Sequence, residues 1–282
     1  MILIDNTQIL LSSIFTQYPT PQQIVENDPL NLIRHITLNT YRMYKNMFSA
    51  DYGQLVICQD SGNYWRKDIF PFYKQNRKKV QEENQEYWNK IFDSLHTIRT
   101  EVSENLPYKN MKVDRCEADD IIAVLVQEYH DKEKIIIVSN DKDFQQLLKY
   151  PNVSLYSSQK KSNIYCENPD AFLMEQVIRG DSSDGIPNIL SDEDTFVVDG
   201  KRQKPMTQKK MEEIRSKLES QNHSDISKRY EINQKLIDLT YIPVEYRSNI
   251  ISEFNKPTPK SNVFNYFVQK KLNNLMDVIS EF

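Results

Sequence analysis

Short apolar runs recur along a chain that is otherwise polar. Met1 to Asp5, Gln54 to Cys58 and Lys134 to Ser139 each have the length and β-branched content of a strand buried on both faces. Val153 to Ser157 and Asn163 to Cys166 predict two shorter strands. Helical spacing of apolar positions fills the intervals between them. Ile9 to Phe15 is one such stretch. Asn31 to Phe48 is another, with Leu32, Ile36, Leu38, Tyr41 and Phe48 as its stripe. Lys78 to Glu104 is highly polar and predicts a helix carried by Trp88, Ile91, Phe92 and Leu95. Arg115 to Tyr129, a helix starting at Phe144 to Leu148, and Pro169 to Arg179 follow. Strands alternating with helices predict an α/β fold, a central and mainly parallel sheet flanked by helices.

Beyond Gly185 the pattern changes. Asp192 to Lys204 is irregular. Helical periodicity then covers Thr207 to Ser220, Ile226 to Leu239, Val244 to Phe254 and Val263 to Ile279. Lys256-Pro257-Thr258-Pro259-Lys260 reads as a stiff basic connection. The expected organisation is an α/β core over residues 1–187, with residues 64–104 as an arch or bridge, and a helical C-terminal subdomain over 188–282.

The net charge of −4 argues mildly against a nucleic-acid partner, but the charges are unevenly placed. Lys201 to Lys217 holds seven Lys or Arg against Glu212 and Glu213. Lys74, Arg77, Lys78 and Lys79 are packed together without an acid, as are Lys256, Lys260, Lys270 and Lys271. Local fields of this kind steer polyanions whatever the total charge. Cys58, Cys116 and Cys166 are too far apart for a zinc motif, and their spacing fits a reducing compartment. His35, His96, His130 and His223 do not cluster either. No apolar run approaches the roughly 18 residues of a membrane span. With no signal peptide evident, a soluble intracellular protein is expected. Glycine is too scarce for a Gly-rich phosphate loop.

The acids carry the chemistry. Asp5 and Asp60 close the first two strands. Asp141 and Asp143 follow the third. Glu117, Asp119 and Asp120 open a helix, and Asp181 and Asp184 lie in a Gly-Asp-Ser-Ser-Asp-Gly loop. In a parallel sheet the loops after strand carboxyl ends converge on one crevice. Acids crowded there need cations, because like charges raise each other's pKa. An oxygen-only donor set suits a hard divalent ion such as Mg²⁺ or Mn²⁺. Any one of these acids could instead cap a helix, with Asp114-x-x-Glu117 a plausible capping box. Capping needs one acid per helix start, however, and here there are three and two. An EF-hand fits poorly, since Gln145 and Gln146 stand where its next ligand and its glycine belong.

Three motifs match a family. Glu117-Ala118-Asp119-Asp120-Ile121-Ile122-Ala123, Ser139-Asn140-Asp141-Lys142-Asp143-Phe144 and Gly180-Asp181-Ser182-Ser183-Asp184-Gly185-Ile186-Pro187 resemble the 5′-nuclease superfamily of flap endonucleases and 5′-3′ exonucleases. Tyr73-Lys74-Gln75-Asn76-Arg77 is similar to that family's basic signature ahead of its helical arch. Phe196 to Arg202, Tyr241-Ile242-Pro243 and Val278 to Phe282 resemble the branch found in T-even bacteriophages. One departure stands out. The run from Asn188 to Asp194 lacks the Gly-x-Gly turn that grips duplex backbone and a monovalent cation, so no potassium site is expected.

The resemblance implies a PIN-like core and a two-metal phosphodiester hydrolase. It would use two Mg²⁺ ions, with Mn²⁺ as a substitute. Asp5, Asp60, Asp119 and Asp141 would form one metal site, and Asp143, Asp181 and Asp184 the other. Glu117 and Asp120 would lie close to both, and spacing leaves open which acids touch metal. Lys74 and Arg77 would hold the scissile phosphate. Tyr73 would stack on unpaired bases with Trp65, unless both rings belong to the core. Lys78, Lys79, Lys201, Arg202, Lys204, Lys209 and Lys210 would contact nucleic-acid backbone. The implied activity is ribonuclease H-type removal of RNA primers from RNA–DNA duplex in lagging-strand replication, with 5′-3′ exonuclease action on DNA and cutting of flaps or forks. A single-stranded DNA-binding protein is the expected partner, with Phe264, Tyr266 and Phe267 as its contact. A monomer in the host-cell cytoplasm is expected. The rival readings are a PIN-type endoribonuclease, a non-catalytic structure-specific DNA-binding subunit and a nuclease working from the 3′ end.

Overall fold

The computed structural model describes residues 1–18, 20, 23–24, 29–219, 224–258 and 260–282. His223 and Pro259 lie outside this set, as do the side chains of Lys78 and Lys79. A six-stranded sheet forms the centre: β1 (Ile2–Asp5), β2 (Leu55–Gln59), β3 (Lys109–Lys112), β4 (Ile135–Val138), β5 (Val153–Ser157) and β6 (Ser162–Ile164). Their order across the sheet is β3-β2-β1-β4-β5-β6, with all neighbours parallel except β5 and β6. The chain moves outward in one direction from β1 through β2 to β3, and in the other from β4. The crevice between the carboxyl ends of β1 and β4 is therefore the point where a ligand site is expected.

The strands alternate as strictly as their register demands. Ile2, Ile4, Leu55, Ile57, Ile136 and Val138 face one core. It is closed by helices α1 (Asn6–Gln17), α2 (Leu30–Tyr52) and α5 (Gln85–Asn105). Leu3, Val56, Cys58, Ile135 and Ile137 face the other, under α6 (Ala118–Tyr129) and a 3-10 turn over Lys142–Lys149. Truncating a residue such as Ile137 to Ala is worth about 2–5 kcal/mol at fully buried positions.

β3 was not foreseen. Lys-Asn-Met-Lys carries no apolar run, yet Lys109 and Met111 are buried. The strand lies at the sheet edge, where charged residues are common. Three predicted helices are corrected. The stretch from Lys78 to Glu104 is two helices, α4 (Asn76–Glu83) and α5, because Asn84 leaves helical geometry at φ −136° and ψ 46°. The helix expected from Arg115 starts at Ala118, since Arg115 adopts a φ of 61°. Its capping box is Glu117 with Asp120, one turn later than the Asp114–Glu117 pair. The helix expected over Val263 to Ile279 breaks at Lys271, whose φ is 55°. It becomes α11 (Val263–Gln269), α12 (Asn273–Met276) and a 3-10 turn over Ile279–Glu281.

Two small helices complete the α/β part, α3 (Arg66–Ile69) and α7 (Pro169–Arg179). Then come α8 (Gln208–Glu219), α9 (Ser224–Ile237) and α10 (Val244–Phe254). The C-terminal region shares cores with the sheet. Leu239, Ile242 and Ile250 pack against α6, and Tyr266, Phe267, Leu272, Leu275 and Phe282 fill the core under α2 and α5. Among the described residues no helix is long and apolar enough to cross a membrane.

Candidate active site

Strand ends deliver the acids. Asp5 ends β1 and is buried; Ser139, just past β4, donates its hydroxyl to Asp5 Oδ2 at 2.7 Å. The same hydroxyl accepts from the Asp141 backbone N–H at 3.0 Å, so one serine ties the two acids on either side of the crevice. Asp60 follows β2 and accepts from the Ala118 N–H at 2.9 Å, which pins the start of α6 beside it. That places Asp119, in the first turn of α6, against the same cluster. Asp141 also accepts from the Asp143 N–H at 2.8 Å, turning the chain so that both acids look into the site.

Burial and neighbouring charge act together on these acids. Burial and then Asp60 push the Asp5 carboxyl up to about 7. Burial, Asp141 and Asp5 push Asp119 well above the usual range. Asp143 is raised by burial, then by Asp141, Asp181 and Asp184. Burial is also the main cause raising Asp141. Two groups emerge: Asp5, Asp60, Asp119 and Asp141, and then Asp143, Asp181 and Asp184, which also face Asp141. Among the described residues no three such side chains close into a ligand cage by themselves. Carboxylates without a cation between them repel one another. The oxygen-only donors and the upward shifts of four acids together fit a hard divalent cation.

The loop carrying Asp181 and Asp184 folds back tightly. Gly180 has a φ of 69°, and a Cβ there would lie 2.3 Å from the Ile186 carbonyl oxygen. Asp181 Oδ1 accepts from the Ser183 N–H at 2.8 Å, and Lys142 pairs with Asp181 at 3.2 Å. The loop docks on the turn before α4. Lys74, at φ 56°, donates its N–H to the Asp184 carbonyl at 2.7 Å. Arg77 donates Nε to the Ser183 carbonyl at 3.0 Å and pairs with the Asp184 carboxylate. Burial works against it, but Lys74 and Arg77 hold the Asp184 carboxyl below its ordinary value. The cationic wall and the acidic floor thus share Asp184.

Glu117 and Asp120 are tied to Arg66, and Glu117 also shares Tyr73 and Lys74 with Asp184. Arg66 pairs with Glu117 Oε2 at 3.0 Å and Asp120 Oδ1 at 2.8 Å. Trp65 Nε1 donates to Asp120 Oδ2 at 3.0 Å, and the Glu117 N–H donates to the same oxygen at 2.9 Å. Lys74 Nζ sits on Glu117 Oε1. Both oxygens of Glu117 and of Asp120 are thus engaged by neighbouring groups. Tyr73 is only 2% exposed and Trp65 3%, so neither ring offers a face to bases. Tyr73 instead points its hydroxyl at Glu117 and Asp184. Lys201 is held by Asp192 at 2.8 Å and by Asp194, which competes with its expected backbone contact. Arg202, Lys204, Lys209 and Lys210 are exposed. Tyr266 and Phe267 are buried, leaving Phe264 as the exposed ring of the expected partner contact.

Arg66, Ser139, Lys142 and Gln176 were missed. Gln176 of α7 donates to Asp143 Oδ1 at 2.5 Å. Ser139 and Lys142 lie within the Ser139–Phe144 motif, Arg66 follows the aromatic pair Tyr64-Trp65, and Gln176 carried no local signal.

An acid-lined crevice at the switch point of a parallel sheet, walled by a lysine and an arginine, defines a phosphodiesterase-type hydrolase. Residues 1–175 match the family described as 5′-3′ exonuclease, N-terminal resolvase-like domain. Residues 168–282 match that described as T4 RNase H, C terminal. The chain belongs to the 5′-3′ exonuclease family and is a hydrolytic 5′-3′ nuclease. It is 34% identical to ribonuclease H of Enterobacteria phage T4, covering 99% of this chain and 95% of that one. It is 30% identical to a 5′-3′ exonuclease of Mycoplasmopsis pulmonis over 48% of this chain and 45% of the other. The solved structure of phage T5 5′-exonuclease with bound zinc superposes with a TM-score of 0.60 at 16% identity, covering 99% of both chains. That likeness supports the six-stranded, helix-flanked fold.

Proposed function

We propose that the protein removes 5′-terminal RNA from RNA–DNA duplex during lagging-strand synthesis, and cuts DNA flaps and forks from their 5′ ends. The overlapping carboxylate groups that meet at Asp141 carry this reading, together with whole-length likeness to a ribonuclease H. Asp5, Asp60, Asp119 and Asp141 would hold one Mg²⁺, and Asp143, Asp181 and Asp184 a second, with Mn²⁺ able to replace either. Bound ions would supply an activated water and neutralise charge on the phosphate. Lys74 and Arg77 orient the scissile phosphate and offset its developing charge. Ser139 and Gln176 keep Asp5, Asp141 and Asp143 aimed inward. Arg202, Lys204, Lys209 and Lys210 grip duplex backbone without reading sequence. Residues 1–187 are the catalytic part and 188–282 the helical, duplex-binding part. The protein acts as a monomer in the host-cell cytoplasm beside a single-stranded DNA-binding protein that meets Phe264.

The test uses 5′-labelled RNA annealed to DNA and a matched DNA flap, each with Mg²⁺, with Mn²⁺, with EDTA, and with Asp119→Asn protein. Short 5′-terminal products that vanish with EDTA and with the variant are expected. Products from the 3′ end, or none with either ion, would overturn the reading.

A further inference from the structure

We infer that Arg66 is a positioning residue for hydrolysis: from beneath the site it fixes Glu117 and Asp120, and through Glu117 it sets Lys74 and Tyr73. The inference rests on the nuclease reading above. Arg66 is 2% exposed, so its guanidinium is too deep to meet a substrate. It is engaged on every side. Nη1 meets Glu117 at 3.0 Å, Nη2 meets Asp120 at 2.8 Å, and Nε donates to the Leu236 carbonyl at 2.9 Å. Its plane lies over the Trp65 ring, 4.5 Å from the centroid.

Charge explains what this achieves. Glu117, Asp120 and Asp184 are three carboxylates, and Arg66, Lys74 and Arg77 are the three cations paired with them. Glu117 is 1% exposed and receives Arg66, Lys74 and Tyr73 together. With Arg66 neutralising the deep side, Lys74 can turn from Glu117 toward a phosphate without leaving a bare buried charge. Without it, Lys74 is the sole counter-ion to Glu117 and is locked there, because unpaired buried charges are costly. The Leu236 carbonyl lies in the last turn of α9, where orphan carbonyls and the helix dipole favour a cation. One side chain thus joins the C-terminal helices to the catalytic wall.

The experiment compares full-length wild type with Arg66→Lys, Glu117→Gln, Lys74→Gln and the pairwise doubles on a 5′ DNA flap. A lysine keeps the charge but cannot span three partners in one plane. For Arg66→Lys, kcat is expected to fall at least about tenfold with KM within about threefold, the signature of lost transition-state alignment. The Arg66→Lys/Lys74→Gln double should be no slower than Lys74→Gln. Unchanged kcat, a purely KM effect, or multiplicative losses in the double would overturn the role. Should Arg66→Lys not melt cooperatively, the Arg66→Gln/Glu117→Gln double, which removes that ion pair as a whole, takes its place. A kcat equal to that of Glu117→Gln supports the route through Glu117, and a further tenfold loss overturns it. Wild-type cleavage in the same assay tests the nuclease reading separately.

Discussion

The Tyr73 hydroxyl lies 2.8 Å from Glu117 Oε2 and 3.0 Å from Asp184 Oδ2, bridging the start of α6 to the acidic loop. Tyr73→Phe removes that bridge and the single proton donor the two carboxylates share. Hydrogen bonds to charged groups are worth about 1.5–3 kcal/mol. We expect kcat on a flap to fall about tenfold, corresponding to about 1.4 kcal/mol. The same loss should lower the melting temperature by about 2–4 °C per kcal/mol. Steady-state kinetics with a parallel thermal melt checks both.

Asp143 is raised well above its usual pKa by burial and by Asp141, Asp181 and Asp184. Asp143→Asn removes a repelling charge. In EDTA its melting temperature should rise by about 2–4 °C per kcal/mol of relief. Added Mg²⁺ should stabilise the variant less than wild type, and cleavage should fall. Scanning calorimetry with and without Mg²⁺ reads this. A variant less stable than wild type in EDTA would contradict mutual repulsion among these acids.

Glu101 joins α5 to α2 and α11. Burial pushes its carboxyl up, but Arg34, Lys270 and Tyr266 outweigh that and hold it at about 2. The folded value lies below the ordinary carboxyl value of 4.5, so the pairing stabilises the protein above that pH. This contribution is lost as pH falls from about 4.5 toward about 2. Glu101→Gln should therefore melt lower than wild type at pH 7, and the gap should narrow with acid. Melting curves of both proteins across that window give the comparison.

Lys209 and Lys210 stand exposed at the start of α8. If they touch duplex phosphates, replacing each with Gln weakens binding equally across sequences and lowers the salt slope by about one per lysine. Titrations of flap DNA at several salt concentrations, in Ca²⁺ to prevent cutting, measure the slope. A slope equal to that of wild type would place the duplex elsewhere.

The sheet was legible because buried strands announce themselves locally. Ile2 to Ile4, Leu55 to Cys58 and Ile135 to Val138 are apolar on both faces, and each ends in or next to the polar residues that start the site. β3 was not legible, because an edge strand needs only one buried face and Lys109 supplies part of it. The C-terminal break at Lys271 was hidden for a related reason. Helical periodicity continues through it, and only the core that takes Phe267, Leu272 and Leu275 rewards the kink.

By itself, the sequence determined the parallel sheet, the acids at strand ends and the cations ahead of α4, because each depends on neighbours a few residues away. The tertiary structure decided which acids meet. Arg66 and Glu117 are 51 positions apart, Tyr73 and Asp184 are 111, and Tyr266 and Glu101 are 165. No local pattern encodes those meetings. They follow from packing, which buries Arg66 under α6 and makes Glu117 and Asp120 its partners, while Asp119 on the same turn faces Asp5 and Asp141.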